Sequence, residues 1–484
     1  MYDYSTIKQV ARENGLRIGD LLALAPSNDP FYTGRPSEIA AAQWFYDLWA
    51  RFGYDHGVHL RRIHYQAVSQ QPQIEMPNGK GPYENTIQCW NYLNNAAKWA
   101  RYLGLVPAES FVDRRNPDAI ITRYFEDPTS DWHEDPTPGY EVVDLADWEE
   151  ITVPEVPQLP CLPEALPETP TLEPTGYYSI EQPYLIEIWA EKTTMNDVLL
   201  PLCRNYHVNL VTGAGELSIT AVLSFLARVR ASGLPARILY VSDFDPAGLG
   251  MPISVARKIE YYQRKGDYDG LDIHLDPIVL TADQVAYYDL PRVPVKNSDK
   301  RKANFEKAYG EGQVELDALE ALHPGELHDI AEQAILDYYD PSLHRRALDV
   351  KYELRNRLGR ETARVESDHI AELEEISMEW EDLVVDYNEL RREFEERVAE
   401  YTEVLDAYAV RIDNIKDRAQ DEYSKLRDDL ESTDVDLDDY ALPDPDLPDE
   451  DGTQLYESHR SYGDQLMHYK AQRHNAQQLT LEVN

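Results

Sequence analysis

Residues 184–250 hold three apolar runs of strand length separated by two segments of helical spacing, and this stretch restricts the fold more than any other. The first run, Tyr184-Leu-Ile-Glu-Ile-Trp-Ala, ends at Glu191-Lys192. The second covers 208–211, and the third, Ile238-Leu-Tyr-Val-Ser, ends at Asp243-Phe-Asp245-Pro-Ala-Gly248. A β-α-β-α-β order predicts a parallel sheet with helices packed on it, and such sheets gather ligands at the carboxyl ends of their strands. Side chains alternate along a strand, so Asp243 and Asp245 are expected on one side with Phe244 turned away. Together with Glu191 they bring three carboxylates to one region, where their repulsion favours a hard divalent cation such as Mg2+.

A Glu at the end of one strand, Asp-x-Asp at the end of a later one and the exit through Asp-Pro-Ala-Gly resemble the Toprim domain of topoisomerases, bacterial primases and some nucleases, over residues 184–280. The resemblance implies that Glu191, Asp243 and Asp245 hold Mg2+. An ordinary α/β domain with an acidic rim is the alternative. Lys192 is placed to touch a phosphate, and Gly213 and Gly215, ahead of a helix, permit close backbone approach to one.

Charge sets a condition on any nucleic-acid role. The chain carries 46 Lys plus Arg against 89 Asp plus Glu, a net charge of -43, the wrong sign globally for phosphate contact. One account is a surface adapted to high salt: 14 Lys against 32 Arg amid abundant Asp and Glu resembles halophilic proteins, and strong screening leaves only close basic contacts to matter. The other is that the acid is concentrated in a linker and a tail. Cys89, Cys161 and Cys203 lie far apart in sequence, which argues against a disulfide framework or a zinc ribbon. Neither a membrane-length apolar run nor a signal pattern is visible, so a cytoplasmic protein is expected, of a salt-adapted organism or its mobile elements. No phosphate-binding Gly-x-x-x-x-Gly-Lys-Ser/Thr occurs, so an ATPase would be a separate subunit.

Residues 1–124 read as a winged helix-turn-helix domain. Helices are expected from Pro36, over 58–70, and from 83 or 84 to 103, with Phe111-Val-Asp-Arg114-Arg115 as a wing. Arg51, Arg61, Arg62, Lys80, Lys98, Arg101, Arg114, Arg115 and Arg123 concentrate positive charge here, as phosphate contact requires. The alternative is a helical core domain with arginines on a wet face. The order of winged helix and then Toprim resembles the A subunit of topoisomerase VI and its relative that makes meiotic double-strand breaks. That family carries a motif of the form Arg-Asp-Ile-Tyr/Phe-Tyr. Arg61, Ile63 and Tyr65 match it, while Arg62 and His64 depart from it. The resemblance implies that Tyr65 attacks DNA, in a homodimer where each tyrosine works with the other subunit's metal. A phenol ionises near pH 10 and needs a cation or base to attack at neutral pH; Arg61, one turn back on the same face, suits that role. The alternative for Tyr65 is a core aromatic beside Leu60, Ile63 and Val68.

A Pro-rich acidic stretch over 125–178 reads as a stiff, extended linker. The Toprim domain and its extension occupy 179–340, including a second basic cluster, Arg292, Lys296, Lys300, Arg301, Lys302 and Lys307, expected to line a DNA channel. Of all these residues, Arg62, Lys192, Arg114, Arg115 and Lys296 are the expected DNA contacts. Glu315 and Asp317 either add carboxylates to the site or mark a helix start. Over 341–432 a long helix carries Leu373, Ile376, Trp380, Leu383, Tyr387, Leu390 and Phe394 in steps of three and four, then continues through Tyr408, Ile412 and Ile415. This spacing predicts a coiled coil, and its large aromatics favour an antiparallel hairpin or a partner over a tight two-stranded dimer. Residues 433–484 read as an acidic, largely disordered tail. The expected function is Mg2+-dependent DNA cleavage by tyrosine transesterification. The alternatives are a Toprim nuclease using metal-activated water and a non-catalytic DNA-binding coiled-coil scaffold.

Overall fold

The computed structural model describes residues 4–113, 116–122, 138–143, 159–176, 181–213, 215–396, 402–450 and 452–472. In chain order these form α1 (Tyr4–Glu13), α2 (Pro36–Arg51), α3 (Leu60–Val68), α4 (Ile87–Tyr102), β1 (Gly139–Val143), β2 (Thr171–Thr175), β3 (Leu185–Ala190), α5 (Asn196–Asn205) and β4 (Asn209–Thr212). There follow α6 (Ile219–Ser232), β5 (Ala236–Val241), α7 (Met251–Lys265), β6 (Ile273–Val279), α8 (Ala282–Tyr287), α9 (Lys302–Tyr309), α10 (Leu316–Leu322) and α11 (Glu326–Leu336). The chain ends with α12 (Leu343–Glu396), α13 (Thr402–Glu431), β7 (Tyr456–Glu457) and α14 (Tyr462–Gln472). Two compact units result: Met1–Phe125 with Gln182–Asp340 and Leu447–Asn484, and Glu126–Glu181 with Pro341–Asp446.

The first unit is mixed α/β, built on a five-stranded sheet of order β4-β3-β5-β6-β7. The first four strands are parallel and β7 is antiparallel to β6. β3 and β5 are buried along their whole length, as strands covered on both faces must be. Leu185 and Trp189 enter a core with α6 and α7, whereas Ile186, Ile188 and Ala190 enter a second core with α5 and α11. Glu187 breaks the apolar run of β3 yet is fully buried, because Arg228 pairs with both its oxygens at 2.8 Å and Asn209 and Trp189 donate to them at 3.2 and 2.9 Å. A buried carboxylate is tolerable only when its lone pairs are filled in this way.

The chain enters the sheet at β3, steps outward to β4, and then crosses back over β3 to β5. The crevice between the carboxyl ends of β3 and β5 is therefore the topological switch point, where open α/β sheets bind ligands.

Ahead of the sheet, α2, α3 and α4 pack around Phe45, Trp49, Ile63, Ala67, Leu93 and Ala96. α4 starts three residues later than its spacing suggests, at a Thr86 cap bonded to the Cys89 amide, because Tyr83 is buried against His64 instead. An antiparallel bridge between Glu75 and Pro82 puts a hairpin between α3 and α4, whereas the described part of the expected wing forms only the parallel bridge Val58–Phe111. Arg114, Arg115 and Arg123 lie outside the described residues.

Residues 455–472 depart from the expectation of a disordered tail. β7 pairs with β6, and Tyr456, Tyr462, Leu466 and Tyr469 are buried in the sheet core. The fully buried Arg257 bonds Asp29 at 3.2 Å, Glu260 at 2.8 Å and the Tyr462 hydroxyl at 2.5 Å, which in turn donates to the Leu21 carbonyl. The acid of the tail lies ahead of this segment, in 434–451, and overshadows an apolar stripe at 462, 466 and 469 with helical spacing.

In the second unit, β1 and β2 form an antiparallel pair, and α12 and α13 run antiparallel. His369 on α12 sits between Glu422 and Asp429 of α13, at 2.8 and 3.0 Å. Within the Pro-rich stretch, the described residues 159–172 run extended along α12 and α13 and are held there. The Trp380 indole and the Tyr387 hydroxyl donate to the carbonyls of Pro163 and Pro160, each at 3.1 Å, and the Tyr423 hydroxyl donates to that of Pro167. Further along, the Leu172 amide donates to Thr362. From Pro160 to Leu172 a polyproline strand spans roughly 37 Å, and from Tyr387 back to Thr362 an α-helix spans roughly 38 Å. The strand and α12 thus run side by side in opposite directions with matched lengths. The large aromatics of the heptad pattern serve this third strand, which explains why they are not the small aliphatics of a two-stranded seam.

Candidate metal centre at the switch point

Glu191 directly follows β3 and its amide donates to Val241 of β5 at 3.0 Å. Its carboxylate, 9% exposed, accepts from the Asp243 amide at 3.3 Å. Asp243 in turn accepts from the Leu316 amide at 2.8 Å, and its other oxygen lies 2.7 Å from Lys192 Nζ. Phe244 is turned to the opposite side, as alternation requires: it is buried against Phe305 and Tyr309, and its backbone pairs with Val314. Asp245 accepts from the amides of Ala247 and Gly248 at 2.7 and 2.5 Å, capping the turn that leads into α7. This turn admits only glycine at 248, because a Cβ there would lie 2.1 Å from the Asp243 carbonyl oxygen.

Burial raises the Glu191 carboxyl to about 7, aided by the charges of Asp243 and Asp245 and partly opposed by the Asp243 amide and Lys192. Lys192 is also partly buried, which lowers its ammonium, but the bond to Asp243 and the charges of Asp243, Glu315 and Asp317 raise it overall. Its Nζ lies 3.5 Å from Asp317 and 3.8 Å from Glu315. Lys192, expected to touch a phosphate, therefore sits among carboxylates as a resident counter-charge. Glu315 and Asp317 belong to this cluster through the Phe244–Val314 bridge, a long-range pairing with no local sequence signal.

Among the described residues, His328, Asp329 and Glu332 on α11 are the group whose potential ligand atoms all lie within 4.8 Å of one another. Glu191, Asp243 and Asp245 share the crevice without closing to that separation. Lys192 draws on Asp243 and the backbone holds Asp245, so like charges stay apart. The donor set nevertheless suits a hard cation. It is all oxygen, and a carboxyl held near 7 by desolvation and neighbouring acids regains its charge when a cation adjoins it. The His328 group is more exposed and already engaged: His328 contacts Asp329 at 3.1 Å, and Glu332 accepts from the Tyr206 hydroxyl at 2.7 Å.

Gly213 and Gly215 do not cradle a phosphate. Their amides donate to the carbonyls of Ala190 and Glu191 at 3.0 and 3.4 Å, folding the loop over the end of β3. Tyr65 is 61% exposed on α3 while Ile63 and Ala67 carry the core, so it is not a core aromatic. Its ring meets that of His64 at 5.1 Å, and among the described residues no hydrogen bond or ring contact joins it to the carboxylates. Arg61, Arg62 and Lys296 are exposed. Lys98 and Arg101 are structural rather than wet, donating to Ser27 and to Ala108 and Thr220.

The fold and the crevice define a mixed α/β domain with an acidic crevice at the switch point of a mostly parallel sheet. The sequence matches no protein-family model and no curated protein. No helix among the described residues is long and apolar enough to cross a membrane.

Proposed function

We propose that this chain is a Mg2+-dependent DNA-cleaving protein of the topoisomerase VI A type, with a Toprim domain, a winged helix-turn-helix formed by α2–α4 and an antiparallel coiled coil formed by α12 and α13. The carrying observation is that Glu191 and Asp243 meet at the carboxyl ends of adjacent parallel strands, with Glu191 desolvated enough to titrate near 7. Glu191, Asp243 and Asp245 would hold Mg2+, which supplies charge neutralisation at the scissile phosphate. Lys192 and the Leu316 amide orient Asp243, and Gly248 with Ala247 orients Asp245.

Tyr65 is accessible on a helix that also exposes Arg61 and Arg62. Its phenol oxygen forms a bond to phosphorus and releases its proton to solvent. The bond from phosphorus to the leaving deoxyribose oxygen breaks, that oxygen takes up a proton, and the protein remains joined to a DNA end. Arg61 would hold the phosphate. Because Tyr65 contacts none of the carboxylates of its own chain, the transesterase reading requires a homodimer in which each tyrosine serves the partner's crevice. Strand passage would need a separate ATPase subunit.

The same separation favours a second reading, hydrolysis by metal-activated water without Tyr65. Cleavage of supercoiled plasmid in Mg2+, stopped with detergent and resolved with and without protease, distinguishes the two. Transesterification leaves protein on the cut ends and is lost in both Tyr65→Phe and Asp243→Ala. Free ends with Tyr65→Phe still active indicate hydrolysis, and an absence of cutting that persists with a co-purified ATPase leaves the DNA-binding scaffold.

A further inference from the structure

Beside the acidic crevice, within the same unit, lies a cavity of about 250 Å³ that the cleavage scheme does not use. Its wall includes Leu24, Asn28, Leu249, Arg301, Asn304 and Phe305. Pro246 also lines it, so the cavity begins one residue from the Asp245 carboxylate. Arg301, Asn304 and Phe305, followed by Ala308, fall in steps of three and one and share one face at the start of α9. The Phe305 ring packs against Phe244 and against Tyr309, which also lines the cavity, each at 5.3 Å between centroids.

Three features together select a ligand class. The apolar part, formed by Leu24, Pro246, Leu249 and the buried Phe305, suits a flat ring held by apolar contact. Asn304 carries a donor and an acceptor side by side, the arrangement that matches the edge of a nucleobase, and Asn28, whose Oδ1 accepts from the Ser27 hydroxyl at 3.4 Å, adds a donor. Arg301 is held by Asp299 at 2.8 and 3.0 Å and feels, more weakly, the charges of Asp245 and Glu216. Arg301 also lines the cavity, and its planar guanidinium suits a phosphate attached to the bound base.

We propose that this cavity takes one unstacked nucleobase whose phosphate lies toward Arg301. The inference rests on the reading of the chain as a DNA-handling protein and adds to it that a base next to the reacting phosphate leaves the stack. The ligand chemistry is a base joined to a phosphate, supplied by a DNA strand or by a free nucleotide.

The test is binding in EDTA, so that no cleavage intervenes. A fluorescently labelled duplex carrying one bulged 2-aminopurine is compared with the fully paired duplex at fixed salt. The bulged duplex is expected to bind about tenfold more tightly, with a change in 2-aminopurine emission. Ala308→Trp, which fills the cavity, and Asn304→Ala should each bring that preference below about threefold while leaving affinity for paired duplex and the thermal melt unchanged. Equal affinity of the wild type for both duplexes, or an undiminished preference in both variants, overturns the proposal. Displacement of the bulged duplex by 2-aminopurine deoxynucleoside monophosphate at comparable concentration assigns the cavity to a free nucleotide, and resistance to a large excess assigns it to the strand. A bulge preference without Tyr65-dependent cleavage keeps the cavity and removes the transesterase reading. Cleavage that needs Tyr65 and Asp243 but shows no bulge preference removes the cavity alone.

Discussion

Glu191 carries the most testable electrostatic consequence of the crevice. Its carboxyl is raised from an ordinary 4.5 to about 7, first by burial and then by Asp243 and Asp245. The folded protein therefore holds a proton there that the unfolded chain has released. The contribution is fully present below about pH 4.5 and is lost as pH rises through about 7. Glu191→Gln, neutral throughout, should melt like the wild type near pH 4.5 and be more stable by about 1–2 kcal/mol above pH 7 without divalent cations. Thermal denaturation across that window reads the difference, and a gap independent of pH would show that the carboxyl is not desolvated. Gly248 makes a steric prediction. The Cβ of Gly248→Ala meets a backbone oxygen at 2.1 Å, and backbone in a capped turn cannot yield as a flexible side chain does. A loss of about 3 kcal/mol or more is expected in urea denaturation, and an unchanged midpoint would mean that the turn has another conformation. The Asp-Pro-Ala-Gly string marked this turn in the sequence; that Gly248 lies against Asp243 became visible only with the turn closed.

At the scale of elements, the strands of the sheet were legible because continuous apolar runs bounded by acids have few other solutions. β3 and β5 form where their runs stand, and α2 and α3 fall where the 3.6-residue spacing puts them, while α4 starts late because Tyr83 is drawn into the core. What the sequence left open or did not mark depends on long-range pairing. Glu315 and Asp317, readable as site carboxylates or as a helix start, are both, reaching the crevice through a bridge to Phe244; an unmarked hairpin lies between α3 and α4; and the proline strand finds its donors more than two hundred residues away on α12 and α13. Proline lacks an amide hydrogen, so such a strand can join no ladder, but its carbonyls remain acceptors. Trp380→Phe keeps a ring in the seam and removes the donor to Pro163. It should cost about 1–2 kcal/mol, seen as a lower melting temperature of the helical unit. A neutral result would mean that the strand is not held there.

For the whole molecule, the C-terminal segment offers the sharpest contrast between composition and structure. Truncation after Glu450 removes β7 and α14, leaves the edge of β6 unpaired, takes the Tyr462 ring from Phe31, and takes the Tyr462 and Tyr469 hydroxyls from the buried Arg257 and Glu260. The truncated chain is expected to lose its cooperative thermal transition and to aggregate, since the sheet core loses the buried side chains of Tyr456, Tyr462, Leu466 and Tyr469, and burying one large apolar side chain is worth about 1.5–3 kcal/mol. Full-length melting in the truncated protein would return this segment to the role of an acidic solubilising tail. The sequence by itself determined the parallel α/β core, the carboxylates at its strand ends and the turn that carries Asp245, because hydrophobic period and chain chemistry act over a few residues. Tertiary structure alone decided that Lys192 neutralises the crevice, that Tyr65 stands exposed and apart from it, that the proline strand is docked and that the last helix belongs to the core. Each of these depends on contacts between residues distant in sequence, whose partners no local pattern names.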